Sequence, residues 1–211
     1  MSNRSPDHAE RAARIAAIRD EQRRAERRRT GLITGVSVLV AGTLIGATAI
    51  VLLGEQRRTQ GIAEAASGEI TGVQTYEGLP AAHVQGPVQY EQTPPVGGEH
   101  AGTWANCGVY TEPIANELAV HSLEHGAVWV TYDPELPREQ VERLTELAQG
   151  NPYVLLSPFD GLPQPVVASA WGTQLTLDAV DDTRLEAFLV KYQQGEQTLE
   201  PGAPCSGGVD A

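Results

Sequence analysis

Methionine is all but absent: the 211-residue chain holds one, at position 1. The remainder therefore lacks the thioether that blue-copper centres use as a weak axial ligand and that methionine-cluster Cu(I) sites are built from. Basic residues are scarce from residue 59 onward, where Arg138, Arg143, Arg184 and Lys191 stand against 21 acidic residues. A net charge of about −17 over that stretch argues against nucleic acid and anionic lipid as its partners. It favours cations or a basic protein, unless it serves only to solvate the surface. No phosphate loop, dinucleotide fingerprint, Ser-His-Asp order or internal repeat is present, and Gly97-Gly98 reads as a loop.

Charge of either sign is missing from Gly31 to Leu53, a run rich in Leu, Ile, Val, Ala and Gly. As a helix its 23 residues rise about 34 Å, against a hydrocarbon core of about 30 Å. The expectation is a single-pass transmembrane helix over residues 31–53. Nine arginines and five acids precede it, and only Arg57 and Arg58 follow closely. The positive-inside rule then leaves a basic leader, residues 1–30, in the cytoplasm and makes the C-terminal part extracytoplasmic. The leader would lie near anionic headgroups, with membrane lipid as its partner. A cleaved signal peptide ending at Ala63-Glu64-Ala65 is the rival reading. The apolar run is long for that role, and the cleavage site lies beyond two arginines. Gly31 with Gly35, and Gly42 with Gly46, have the small-xxx-small spacing of paired spans, which would make a homodimer.

Beyond the span, residues 54–69 read as a stalk, 70–205 as one compact exported domain and 206–211 as a tail. Strand character is present at 71–76, 88–90, 127–132, 153–157, 166–172 and 174–177. Helices are expected at 113–125, at 137–148 with Val141, Leu144 and Leu147 on one face, and at 182–192. This order predicts an α+β fold with a largely antiparallel sheet. Cys107 and Cys205 fall in the exported part, where an even count reads first as a disulfide and second as thiolate metal ligands. A disulfide closing so long a loop would stabilise the fold by ~4–5 kcal/mol on the chain-entropy model.

Of five histidines, His8 lies in the leader and His83, His100, His121 and His125 in the exported part. The densest chemistry is His121-Ser122-Leu123-Glu124-His125-Gly126. Pro113 suits a first helical turn and Gly126 a helix stop, so His121 and His125 would share a helical face, with Glu124 beside them. Two imidazoles and a carboxylate so placed could ligate one ion, and His83 and His100 would complete a set suited to Zn(II) or Cu(II). The plainer alternative is that one histidine caps the helix, the other is a hydrogen-bonded core residue, and His83 and His100 are ordinary loop residues. His-x-x-Glu-His also fits the inverted zinc-protease pattern, in which Glu124 would be the catalytic base. Against this, a helix end follows at once and the domain leaves little room for a substrate-binding region.

Tyr90, Pro94-Pro95-Val96-Gly97-Gly98-Glu99-His100, Cys107-Gly108-Val109-Tyr110 and Val120-His121-Ser122-Leu123-Glu124-His125-Gly126-Ala127-Val128-Trp129 together resemble an actinobacterial family, domain of unknown function 3105 (DUF3105). The resemblance covers most of residues 70–205. It implies a membrane-anchored exported domain, supplies no activity, and makes His83, His100, His121, Glu124 and His125 candidates for one shared site. The reading is then a cell-membrane protein whose exported domain binds copper or zinc. Two alternatives stand beside it, a non-catalytic interaction or accessory subunit of a membrane complex, and a small zinc hydrolase. The residues favour binding over enzyme activity.

Overall fold

The computed structural model describes residues 6–211, with side chains from residue 10 onward. Residues 1–5 of the basic leader, and the side chain of His8, lie outside the described residues. The chain divides into two compact units, one ending at Arg58 and one spanning Thr59–Ala211. Helix α1 (Pro6–Ser67) is the longest element. It carries a stretch of mean hydropathy 2.4, none of it buried, that is long and apolar enough to cross a membrane. The stalk expected at 54–69 is helical as far as Ser67.

In chain order the second unit continues with β1 (Val73–Thr75), β2 (His83–Val84), β3 (His100–Ala101), β4 (Gly108–Val109), α2 (Asn116–Glu124), β5 (Val128–Tyr132), α3 (Arg138–Ala148), β6 (Val154–Pro158), β7 (Val166–Ala170), β8 (Thr173–Leu177) and α4 (Thr183–Tyr192). Six strands form one sheet in the order β1-β8-β7-β5-β6-β4, and β2 pairs with β3 separately.

The sheet is mixed, which corrects the expectation of a largely antiparallel one. The β1–β8, β8–β7 and β7–β5 pairs are antiparallel, while β5–β6 and β6–β4 are parallel. The cause is α3, which carries the chain from the end of β5 back to the start of β6. A parallel neighbour needs such a crossover, whereas a tight turn gives an antiparallel one. The strand expected at 88–90 joins no sheet; Val88 instead donates its N–H to Glu117 Oε1 at 2.8 Å, and the Tyr90 hydroxyl donates to Glu99 O.

Central strands β5 and β6 are buried at every position, as their nearly continuous apolar sequence requires of strands covered on both faces. Side chains alternate between two cores. Val128, Val130, Val154 and Leu156 pack with Leu144, Leu185 and Phe188 of α3 and α4. Trp129 and Leu155 point to the other face, among Ile114, Val120 and Leu123 on and just ahead of α2. Helix α2 is thereby fixed to the sheet through Val120 and Leu123, and its remaining face carries the histidines.

Candidate metal centre

Helix α2 ends in a Schellman motif. Ala127 N–H donates to Ser122 O at 3.0 Å and Gly126 N–H to Leu123 O at 2.9 Å, with Gly126 at φ +90°. His125 is the C-cap. His121 and Glu124 thus occupy the last full turn, one above the other by their three-residue spacing, and the chain leaves immediately into β5. The helix begins about one turn later than the expected start at 113: Asn116 is the first helical residue and Ala115 the N-cap.

His100 arrives from the loop of Pro94 to Glu99. Gln174 Nε2 holds that loop to the sheet by donating to Pro94 O at 2.8 Å. At Gly97, φ +149°, a Cβ would come within 2.8 Å of Leu79 and 3.2 Å of Trp171, so only glycine lets the loop lie this close. His83 is set beside His100 by the β2–β3 pairing, in which the two are register partners.

Four of the five predicted site residues converge. One ligand atom from each of His83, His100, His121 and Glu124 lies within 4.8 Å of every other. Glu124 Oε2 stands 2.9 Å from His100 Nε2, 3.5 Å from His83 Nε2 and 4.0 Å from His121 Nε2. His125 lies outside that set, with its Nε2 3.1 Å from His121 Nε2. His100, His121, Glu124 and His125 are all at most 5% exposed, while the His83 side chain is 50% exposed and forms the open side.

The other ring nitrogens determine what these atoms can do. His100 Nδ1 donates to Gly98 O at 2.7 Å, His121 Nδ1 to Ala101 O at 2.6 Å and His125 Nδ1 to Pro204 O at 2.8 Å. A carbonyl can only accept, so each Nδ1 carries a proton, and wherever the ring is neutral its Nε2 presents a lone pair inward. Carboxylate oxygen and imidazole lone pairs facing one another at these distances repel unless a proton or a cation lies among them. Backbone carbonyls fixing the outer nitrogen are the usual support of metal-binding histidines. Burial holds the His121 pKa below the usual histidine range, and the rings of His125, His100 and His83 act in the same direction, against the Ala101 carbonyl, which favours the charged form. His121 is accordingly poised as a neutral ligand.

A family model described as "Protein of unknown function (DUF3105)" matches residues 83–207. The chain belongs to this family. No curated protein and no solved structure matches it. The DUF3105 stretch begins at His83 itself and encloses all the converging residues, whereas α1 lies outside it.

The same stretch includes a C-terminal segment that builds one wall of the site. Cys107 and Cys205 form a disulfide, the expected pairing, and Cys107 N–H donates to Cys205 O at 2.7 Å. Next to Cys205, Pro204 supplies the carbonyl for His125. Glu200 N–H donates to Glu124 O, and Glu200 Oε2 stands 3.4 Å from His125 Nε2. Trp104 covers the histidine pair, its ring centroid 4.6 Å from that of His125 and 5.5 Å from that of His121. Glu200 and Trp104 were not among the residues singled out from sequence. Each is an isolated residue far from the histidine motif or outside it, with no local pattern to mark it.

Proposed function

We propose that this DUF3105 protein is a membrane-anchored metal-binding protein that holds one divalent ion, zinc or copper(II), on His83, His100, His121 and Glu124. The observation that carries the reading is the convergence of inward-facing Nε2 atoms and a carboxylate oxygen within 4.8 Å, with the Nδ1 protons of His100 and His121 held by carbonyls. Ligand atoms of a tetrahedral centre with bonds of about 2.0–2.1 Å lie roughly 3.3 Å apart, so a small contraction around an ion would complete the geometry. Three imidazoles and a carboxylate suit Zn(II) and Cu(II). Both cysteines are committed to the disulfide, which removes thiolate ligation. Glu124 sits among the imidazoles as a ligand would, which favours binding over the hydrolase reading that needs it free as a base. In this proposal α1 crosses the membrane with the basic leader inside and the DUF3105 domain outside, in the compartment where a disulfide persists.

The test is metal analysis of the full chain purified in detergent after dialysis. About one equivalent of zinc or copper is expected, lost in His100→Ala/His121→Ala. Trp104 and Trp171 flank the centre, so Cu(II) should also quench tryptophan emission in the wild type and not in the double variant. A metal-free protein whose thermal midpoint ignores added Zn(II) and Cu(II) would sink the proposal.

A further inference from the structure

His125 is the one histidine of the DUF3105 motif that the four-residue centre does not absorb. Its Nδ1 proton is committed to Pro204 O, so the Nε2 of the neutral ring offers a lone pair. That atom faces two further acceptors, His121 Nε2 at 3.1 Å and Glu200 Oε2 at 3.4 Å. His121 therefore stands at the junction of two acceptor sets. One is the buried group with His83, His100 and Glu124, and the other is His125 with Glu200, whose side chain is 52% exposed.

We propose that His121, His125 and Glu200 form a second, outer position for the same divalent cation, occupied in passing as the ion enters and leaves the inner centre. The inference rests on the metal-binding reading above. A single Nε2 lone pair cannot ligate two ions at once, so the positions are alternatives that exchange across His121, and the protein holds one ion at a time. Two acceptors from His121 and His125 plus an exposed carboxylate give the outer position fewer ligands and more water than the inner one. Such a position suits capture and release, and the inner one retention. Glu200 is fixed for this role by its own N–H bond to Glu124 O and by the disulfide five residues on.

The experiment follows transfer of Zn(II) between the full-length protein in detergent and an excess of EDTA, and the reverse loading from free Zn(II). Glu200→Gln keeps the side-chain shape and the backbone contact, so it retains the fold. It should lower occupancy of the outer position, and so slow both directions, by about tenfold, the scale by which loss of a supporting group lowers metal affinity, while the bound stoichiometry stays at one. Glu146→Gln, on the exposed side of α3, controls for the loss of one surface charge and should exchange at the wild-type rate. Exchange rates in Glu200→Gln equal to those of the wild type would overturn the outer position. A wild type that binds no zinc would instead overturn the metal-binding reading itself, so the two failures are distinct. His125→Ala should repeat the slowing. If it unfolds, Glu200→Gln decides alone.

Discussion

Gly126 fixes where the histidine motif stops. Its φ of +90° is left-handed, and a Cβ there would run into the Gln194 amide and approach Thr198 within 2.9 Å. Gly126→Ala should therefore destabilise the domain by about 2 kcal/mol, through backbone strain and a clash together, read as a lower midpoint in denaturant. His121 sets a pH dependence of opposite character to an exposed histidine. Burial holds its pKa in the fold below the ordinary value, so the unfolded chain binds the proton more tightly. Its contribution to stability is full above about pH 6.5 and declines as pH falls from there toward the folded pKa. Thermal midpoints of metal-free protein between pH 7.5 and 5 should fall more steeply in the wild type than in His121→Gln. Equal slopes would exclude the effect.

Elements with a clear apolar period form where the sequence places them. The expected helices at 137–148 and 182–192 are α3 and α4 within a residue at their starts, because Leu144, Leu185 and Phe188 must face the sheet. Helix α4 is opened by Asp182, whose side chain accepts from Arg184 N–H at 2.9 Å. The Arg184 guanidinium bonded to it holds the Asp182 carboxyl below the usual carboxylate range, assisted by that N–H and opposed by partial burial. Asp182→Ala should cost about 1 kcal/mol at neutral pH. The depressed pKa means the carboxylate's contribution is present above the unfolded value of about 3.9 and is lost as pH falls through the folded one. The difference between wild type and variant should hence narrow in acid. A difference unchanged down to pH 2 would argue against the charged cap. Residues 88–90 have strand-forming composition and yet join no sheet, since composition does not say whether a neighbouring edge is free to pair.

Across the whole molecule the C-terminal segment is tied to the histidine helix from the far end of the domain. The Cys107–Cys205 link closes a separation of 98 residues and sets Pro204 O against His125. Replacing both cysteines by serine should lower stability by ~2–5 kcal/mol. By freeing that carbonyl from His125 it should also slow zinc exchange with EDTA about tenfold, the scale of losing an outer support of a metal-site histidine, while the bound stoichiometry stays at one. Denaturant titration and competition with a chelator measure the two effects separately. If α1 spans a bilayer as its composition allows, the full chain will stay in the membrane fraction after carbonate extraction. Release into the supernatant would count against an uncleaved anchor.

Local properties are legible in the residues alone: an uncharged run long enough to cross a membrane, the helix-and-stop around His121 and Gly126, the apolar faces of α3 and α4, and Cys107 with Cys205 as the first candidates for a pair. Each is written in residues close together or, for the cysteines, in a count that leaves one pairing. The tertiary structure alone decided that the sheet is mixed, because strand direction depends on which edge each crossover reaches. It alone separated His125 from the four-residue centre and set it against Glu200, since their proximity arises from a chain reversal over 75 residues of sequence. It alone supplied the carbonyls of Gly98, Ala101 and Pro204, which every residue type carries and which only folding aims at a ring nitrogen.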